Sequence, residues 1–167
     1  KEIRSLWAHV ATDPKLEQLV KELKKDPVLK DNKLIIFTES KETGEHLYKN
    51  LDINFRGETI FFSSSGGLYR GEKIDNAIAR ELIIENFDPR HKEQKDDLRI
   101  LITTDVLAEG VNLHRSNIVI NYDLPWNPTR VLQRVGRVNR VGSKHEKVYL
   151  FNFFPTAQSD EHLGLEA

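Results

Sequence analysis

The feature that most limits how this chain can fold is a set of short apolar runs rich in β-branched residues. Five runs lie within residues 34–37, 59–62, 99–103, 117–121 and 148–153. Short, continuous apolar runs are typical of strands that are buried on both faces, as in parallel sheets. Segments with helical periodicity separate them, as at leucines 16, 19 and 23. The sequence therefore predicts a three-layer α/β domain with a mainly parallel central sheet between helices.

The chain length fits one domain. Its 167 residues can bury one hydrophobic core but are too few for two comfortable ones. Asp13-Pro14 is a good helix start, since Asp caps the free N–H groups and Pro suits the first turn. We expect the domain at 13–155, with 1–12 as a lead-in from a preceding domain and 156–167 as an exit segment. Because methionine is absent even at position 1, we also expect a longer parent protein.

Composition excludes several classes of protein. No apolar run approaches the roughly 18 residues of a membrane span, and the first residues lack the pattern of a secretory signal. There are no cysteines, so disulfide scaffolds and thiolate metal sites are excluded. The six histidines are scattered, and we assign no metal site. These observations lead us to expect a cytoplasmic protein, or a nuclear one in a eukaryote, with no membrane partner.

Charge is unevenly distributed along the chain. The net charge is only −1, yet residues 128–147 hold six Arg or Lys residues against one Glu. A basic segment in a nearly neutral protein indicates a local anion site, with phosphate the obvious candidate. A solvated basic helix face would have the same composition. Charge alone does not decide between the two.

A helical wheel separates two faces of the helix predicted to begin after Asn127. With Gln133 set at zero, Arg137 falls at about 40° and Arg140 at about −20°, so the three share one stripe. Gly136 borders that stripe at about −60°. Valines and a leucine occupy the opposite side, which we expect to pack on the sheet: Val131, Leu132, Val135 and Val138.

Two arginines one turn apart can both reach one multiply charged oxyanion. The planar fork of Arg fits phosphate oxygens better than a Lys ammonium does. In phosphoryl transfer, an arginine finger contributes roughly 10³–10⁵ in rate. Gly136 would let a partner surface approach closely. A solvent-exposed helix with no further role should not contain this glycine, because Gly lowers helix stability by about 0.8–1.0 kcal/mol relative to Ala.

Four motifs in order resemble those of a known family. Residues 133–140, with the pattern Q-x-x-G-R-x-x-R, resemble the final signature of superfamily-two helicases. Residues 103–113 resemble their fifth motif and residues 34–40 their fourth. Residues 122–128 are similar to the Swi/Snf-type branch of remodelling and translocating ATPases. Together the motifs cover about residues 33–153 and imply the second RecA-like domain, or lobe, of an ATP-dependent motor.

The resemblance implies a set of nucleotide contacts. Arg137 and Arg140 would reach the γ-phosphate of ATP held with Mg²⁺ on a first RecA-like lobe of the same polypeptide, and Gln133 would join them as the third catalytic residue. Four residues would lie at the nucleotide: Glu109, Gly110, Asn112 and Gly136. Asn112 would face the ribose, and Glu109 would couple the ATP and nucleic-acid sites.

The resemblance also implies a nucleic-acid grip. Thr104, at a strand end before a predicted helix, would bond a backbone phosphate. Ser64, Ser65 and Gly66 would contact the backbone too, although a plain flexible loop explains them about as well. Trp126 could stack on a base, but packing at a lobe surface is the favoured reading. The Swi/Snf-like segment favours DNA over RNA.

Two acidic residues at strand ends invite a competing reading. Asp105 and Asp123 each end an apolar strand, as a magnesium-binding Asp does, but neither is followed by the Glu such a site needs. We read Asp105 as a helix cap. No G-x-x-x-x-G-K-[ST] occurs to hold phosphates, so this chain alone should hydrolyse essentially no ATP.

Two functions therefore stand at this stage. The first is the second motor lobe of an ATP-dependent helicase or translocase, a fragment of an ATP hydrolase. The alternative is a non-catalytic RecA-like module that binds nucleic acid or protein.

Overall fold

The computed structural model describes residues 13–105, 111–139 and 145–154. The described residues fall into two compact units, one that contains residues 13–30 and one that contains residues 31–105, 111–139 and 145–154. The described part of the first unit contains helix α1 (Pro14–Lys25). As predicted, Asp13 caps α1, since its carboxylate accepts from the Leu16 N–H at 3.0 Å.

The second unit is built on a seven-stranded sheet. Its strands are β1 (Leu34–Phe37), β2 (Thr59–Ser63), β3 (Gly66–Tyr69), β4 (Glu72–Ile74), β5 (Ile100–Thr103), β6 (Ile118–Asn121) and β7 (Tyr149–Asn152). The strand order is β4-β3-β2-β5-β1-β6-β7. The pairs among β2, β5, β1, β6 and β7 are all parallel. This confirms the predicted fold class.

Three helices accompany this sheet in the described part of the unit: α2 (Lys41–Asn54), α3 (Asn76–Phe87) and α4 (Pro128–Val138). Strands β1, β2, β5 and β6 are buried along their whole length, as their uninterrupted apolar runs predict. The core joins these strands to α3 and, through Val138, to α4.

The register of the sheet aligns the ends of its central strands. Thr103, the last residue of β5, pairs with Phe37 of β1 and Phe62 of β2, and Phe37 pairs with Asn121 of β6. The residues that follow these strands therefore meet along one edge. We call it the carboxyl edge, and it is where open α/β sheets bind ligands.

The segment after β2 is ordered, not the flexible turn that its Ser and Gly residues suggested. Ser64 and Ser65 connect β2 to the antiparallel β3, with Ser63 opposite Gly66. A second hairpin leads into β4 through Arg70 and Gly71, whose φ angles are 50° and 81°. Positive φ at both central residues is the signature of a type I′ turn, whose twist suits a hairpin. Short strands that contain Gly and charged residues carry too little apolar pattern to be predicted.

The polar loop at residues 91–97 is held by ion pairs with residues outside it. Asp96 pairs with both Lys33 (2.8 Å) and Arg115 (2.9 Å). The hydrogen bond from Lys33 holds the pKa of the Asp96 carboxyl below its usual value. His91 lies 3.4 Å from Glu81. Residues distant in the sequence therefore hold this loop in place, although the loop itself consists of polar and charged residues.

None of the helices in the described ranges is long and apolar enough to cross a membrane.

Gly44 shows how closely α2 packs on the sheet. A Cβ at this position would overlap the ring of Phe61. We expect Gly44→Ala to lower the free energy of unfolding by roughly 1–3 kcal/mol, because the ring must move in a packed core. Urea unfolding of the chain measures this.

Gly136→Ala is the matched control. Among the described residues, a Cβ there would meet no atom within 4 Å outside the adjoining turns of its own helix, and Ala favours a helix interior over Gly by about 0.8–1.0 kcal/mol. It should therefore stabilise the chain. Equal effects of the two substitutions would contradict the close approach of α2.

Candidate functional site

Helix α4 begins at the carboxyl edge, shortly after β6. Asn127 caps it, since its side-chain oxygen accepts from the Thr129 N–H at 2.9 Å, and Pro128 occupies the first turn. Both features agree with the sequence prediction. The cap fixes where the helix starts, and therefore which arginines face the edge.

Arg134 is the buried centre of the site. It is 2% exposed, and each of its five N–H donors has an acceptor. Two carboxylates and one amide take four of them: Asp105 at 2.7 and 3.1 Å, Glu39 at 2.6 Å and Asn121 at 2.9 Å. The fifth is donated to the carbonyl of Asp123 at 3.2 Å.

These acceptors come from the ends of three neighbouring strands. Glu39 follows β1, Asp105 follows β5, and Asn121 is the last residue of β6. The guanidinium also lies 5.1 Å from the centre of the Phe37 ring. A buried charge is stable only when it is paired and fully hydrogen-bonded. Arg134 meets that condition and ties α4 to the carboxyl edge.

Arg130 lies one turn earlier and shares the same carboxylates. Its guanidinium is 3.1 Å from Glu39 and 3.4 Å from Asp105. The side chain is 51% exposed, so solvent screens this pairing. Two arginines thus face two carboxylates in what we call the Arg134 cluster: Glu39, Asp105, Asn121, Arg130 and Arg134.

Arg137 differs from both. It is half-buried, and its guanidinium makes no hydrogen bond or ion pair with another described residue. Gln133 is exposed beside it, and the space around Gly136 is open. Of the arginines that the structure describes on α4, Arg137 is therefore the one without a partner among the described residues.

The buried face of α4 is rotated from the predicted one. Val138 is in the core, and Val131 and Val135 are half-buried, but Leu132 is 71% exposed. On the wheel, Arg134 lies at about 100° and Leu132 at about 260°. Because Arg134 takes a buried position, the packed face turns toward it and Leu132 leaves the interior.

Arg134 is the residue that sequence reasoning missed. A charged side chain is rarely buried fully unless it is paired, and the predicted packed face of the helix therefore included only apolar residues. A signal was present in the acidic residues that follow three of the predicted strands, Glu39, Asp105 and Asp123. Parallel strands bring such residues to one edge, where together they need a cation.

Asp105 and Asp123 both have structural partners. The Asp105 carboxylate receives Arg130 and Arg134; the residues after it that it was expected to cap lie outside the described ranges. The Asp123 carboxylate accepts from the Thr38 hydroxyl at 2.5 Å. In the described ranges, no group of three or more His, Cys, Asp or Glu residues could hold a metal ion.

Other predicted residues lie in different surroundings. Thr104 is half-buried and directly follows β5, while Ser64 and Ser65 are exposed and Gly66 is buried. Asn112 is half-buried, and its amide oxygen, when turned toward Arg90, accepts from Nη2 at 2.6 Å and Nε at 3.2 Å. Glu109, Gly110 and Arg140 lie outside the described residues.

Trp126, which the sequence predicts to pack at a lobe surface, is 94% exposed in this chain.

The two paired arginines of α4 should contribute unequally to stability. We expect Arg134→Ala to cost about 3–5 kcal/mol in the free energy of unfolding, since it leaves Glu39 and Asp105 without their buried partner. Arg130→Ala should cost less than about 1 kcal/mol, as an exposed pair. Urea unfolding of both variants makes the comparison; similar losses would show that burial of Arg134 does not matter.

Comparison with known proteins gives a consistent result. The family model described as helicase conserved C-terminal domain matches residues 14–142. An uncharacterized ATP-dependent helicase of Bacillus subtilis, YqhH, is 35% identical over 133 residues, which are 80% of this chain and 21% of that protein. The ATP-dependent RNA helicase uap56 of Schizosaccharomyces pombe is 36% identical over 135 residues, 78% of this chain and 27% of that protein.

Among solved structures, the C-terminal part of the Fun30 ATPase domain superposes with a TM-score of 0.66 at 23% identity, over 89% of this chain and 43% of that one. At this identity the likeness shows the fold alone. The chain spans only 21% and 27% of the two curated relatives, so it corresponds to one part of much longer proteins.

Proposed function

We propose that this chain, which belongs to the family of helicase conserved C-terminal domains, is the second motor lobe of an ATP-dependent helicase or translocase. ATP binds with Mg²⁺ on a first RecA-like lobe, and this lobe closes over it. Arg137 and Arg140 then reach the γ-phosphate, with Gln133 beside them. Closure and reopening move the two lobes along a nucleic acid.

The observation that carries this proposal is the contrast between Arg134 and Arg137. Arg134 has all its donors satisfied inside the lobe, whereas Arg137 has no partner in the described residues. Arg134 fixes the position of α4, and Arg137, one turn later, would direct its charge to the nucleotide. An arginine finger needs a fixed helix as well as an unpaired charge, since transition-state stabilisation depends on donors held in place beforehand.

The residues around Arg137 fit a nucleotide approaching from outside the lobe. Gly136 leaves room for it, and Gln133 offers an amide on the same exposed side. Mg²⁺ would be held on the first lobe, where it would neutralise part of the phosphate charge. The remaining nucleotide contacts that we propose are Glu109, Gly110 and Asn112. Asn112 would exchange its contact with Arg90 for the ribose.

Thr104 is the proposed phosphate contact for nucleic acid, supported by its place at the carboxyl edge next to Asp105. We propose DNA as the substrate, because residues 122–128 resemble the Swi/Snf-type branch. Because uap56 is named as an RNA helicase, DNA and RNA should both be tested. A DNA-acting protein of this kind works in the cytoplasm, or in the nucleus of a eukaryote.

The decisive measurement is ATP hydrolysis by the full-length protein, with and without DNA or RNA, for wild type, Arg137→Ala and Arg140→Ala. We expect DNA to stimulate the wild type more than RNA does. Each variant should lose about 10³-fold or more of the stimulated kcat, the contribution typical of an arginine finger, while it still binds nucleotide.

Arg56→Ala is the control, since Arg56 is an exposed arginine on the connection between α2 and β2. It should hydrolyse ATP at the wild-type rate. Finger variants that match this control would refute the catalytic assignment. A wild type with no stimulated hydrolysis would leave the alternative, a non-catalytic module that binds nucleic acid or protein.

A further inference from the structure

A recess opens at the opposite edge of the sheet, where the parallel strands begin. Lys33 directly precedes β1 and Asn117 directly precedes β6. Because β1 and β6 are parallel neighbours, these two residues lie side by side at what we call the amino edge. Both line the recess, whose volume is about 460 Å³. Small-molecule sites fall in this size range.

Two mostly buried cations, Lys33 and Arg115, contribute to the lining. Their side chains are only 13% and 19% exposed. The Lys33 ammonium donates to the carbonyl of Leu98. Arg115 donates from Nη1 to the carbonyls of Glu85 and Lys95. These bonds to the backbone hold both cations in place independently of any acid that lies between them.

One exposed carboxylate lies between the two cations. Asp96 Oδ1 is 2.8 Å from Lys33 Nζ and 2.9 Å from Arg115 Nη2, so a single oxygen accepts from both. The Asp96 side chain is 75% exposed, and its carboxylate can therefore turn into water when another anion takes its place. The backbone bonds of Arg115 to Lys95 would still hold the loop.

This single carboxylate does not fully offset the burial of the cations. Burial lowers the pKa of the Lys33 ammonium even though it donates a hydrogen bond to Asp96, and the neighbouring Arg115 lowers it further. Asp31, the other acidic residue of the lining, is exposed, so solvent screens its charge. A dianion would compensate both cations. A phosphate group would also give each cation an oxygen of its own, and the planar fork of Arg suits phosphate oxygens.

We propose that this recess binds a small phosphate monoester, whose phosphate group replaces the Asp96 carboxylate between Lys33 and Arg115. Three amide side chains line the same recess and can bond to a hydroxylated ligand body, since an amide both donates and accepts: Asn32, Gln94 and Asn117. The four residues of β1, about 13 Å of strand, separate the recess from the carboxyl edge. The ligand is therefore distinct from the nucleotide and the nucleic acid of the proposed function.

Isothermal titration calorimetry tests the proposal with the full-length protein, whose nucleotide site is first saturated with Mg²⁺ and a non-hydrolysable ATP analogue. The probe is ribose 5-phosphate, with ribose and inorganic phosphate titrated separately. We expect ribose 5-phosphate to bind, inorganic phosphate to bind more weakly and ribose to give no binding heat. Inorganic phosphate that binds as tightly as the ester would contradict a site for a monoester.

Two substitutions should change the affinity in opposite directions. Lys33→Gln should weaken ribose 5-phosphate binding about 10-fold or more, the loss expected for a hydrogen bond to a charged group. Asp96→Asn should tighten it about 3-fold, because it removes the competing carboxylate at nearly constant size. A variant that had merely lost its fold could not bind more tightly, so Asp96→Asn decides the matter even if Lys33→Gln unfolds.

Lys92→Ala is the matched control, an exposed lysine on the same loop, and should keep the wild-type affinity. A wild type that does not bind ribose 5-phosphate overturns the proposal, as does an Asp96→Asn variant that binds like this control. Stimulation of ATP hydrolysis by nucleic acid, measured on the same protein, tests the motor assignment separately.

Discussion

A single buried cation, the Arg134 guanidinium, joins the strand ends at the carboxyl edge. Arg134 joins the ends of β1, β5 and β6 through Glu39, Asp105 and Asn121. Asn121 is in turn oriented by Asn152 of β7, to which its amide donates at 2.8 Å. Removing the guanidinium would leave two carboxylates side by side with only Arg130 between them. The position of α4, and of every side chain on its exposed stripe, depends on this cluster.

The cluster also explains why arginines on one helix have different tasks. Arg130, Arg134 and Arg137 are spaced by four and three residues, so they lie near one another on the helix surface. The acidic strand ends pair with the first two, which satisfies every donor of Arg134 but only part of the half-exposed Arg130. Arg137, farther along the helix, has no such partner in the described residues. Acidic residues at the strand ends therefore decide which arginines of α4 are structural and which has no partner among the described residues.

Much of the fold could be predicted because its central strands are buried on both faces. Such strands have continuous apolar sequences, which can be recognised without the structure. The runs at 34–37 and 59–62 became β1 and β2 with nearly the predicted bounds, and the caps at Asp13 and Asn127 formed as predicted. Strands β3 and β4 were missed because short antiparallel strands that contain Gly and charged residues have no continuous apolar pattern.

The site was predictable only in part, for a different reason. Of the predicted stripe, Gln133 is exposed, as is the bordering Gly136, whereas Arg137 is half-buried and Arg140 lies outside the described residues. Arg134 was not identified as buried, because its burial depends on acceptors at the ends of three strands, which a helical wheel does not include. Periodicity describes one helix at a time, whereas a buried charge depends on every element around it. The contact between Asn112 and Arg90 is equally invisible to a motif.

The central place of β1 has a consequence for how the domain folds during synthesis. β1 is the first strand of the sheet in the chain, yet Leu34 pairs with Ile100 and Ile35 with Val119. Both neighbours are made long after it. Non-local pairings of this kind form slowly, and a fully apolar strand with two open edges invites association with other chains. Until β6 has been synthesised, the most apolar part of this lobe has no complete partner set, and this interval is when a nascent chain most needs protection by chaperones.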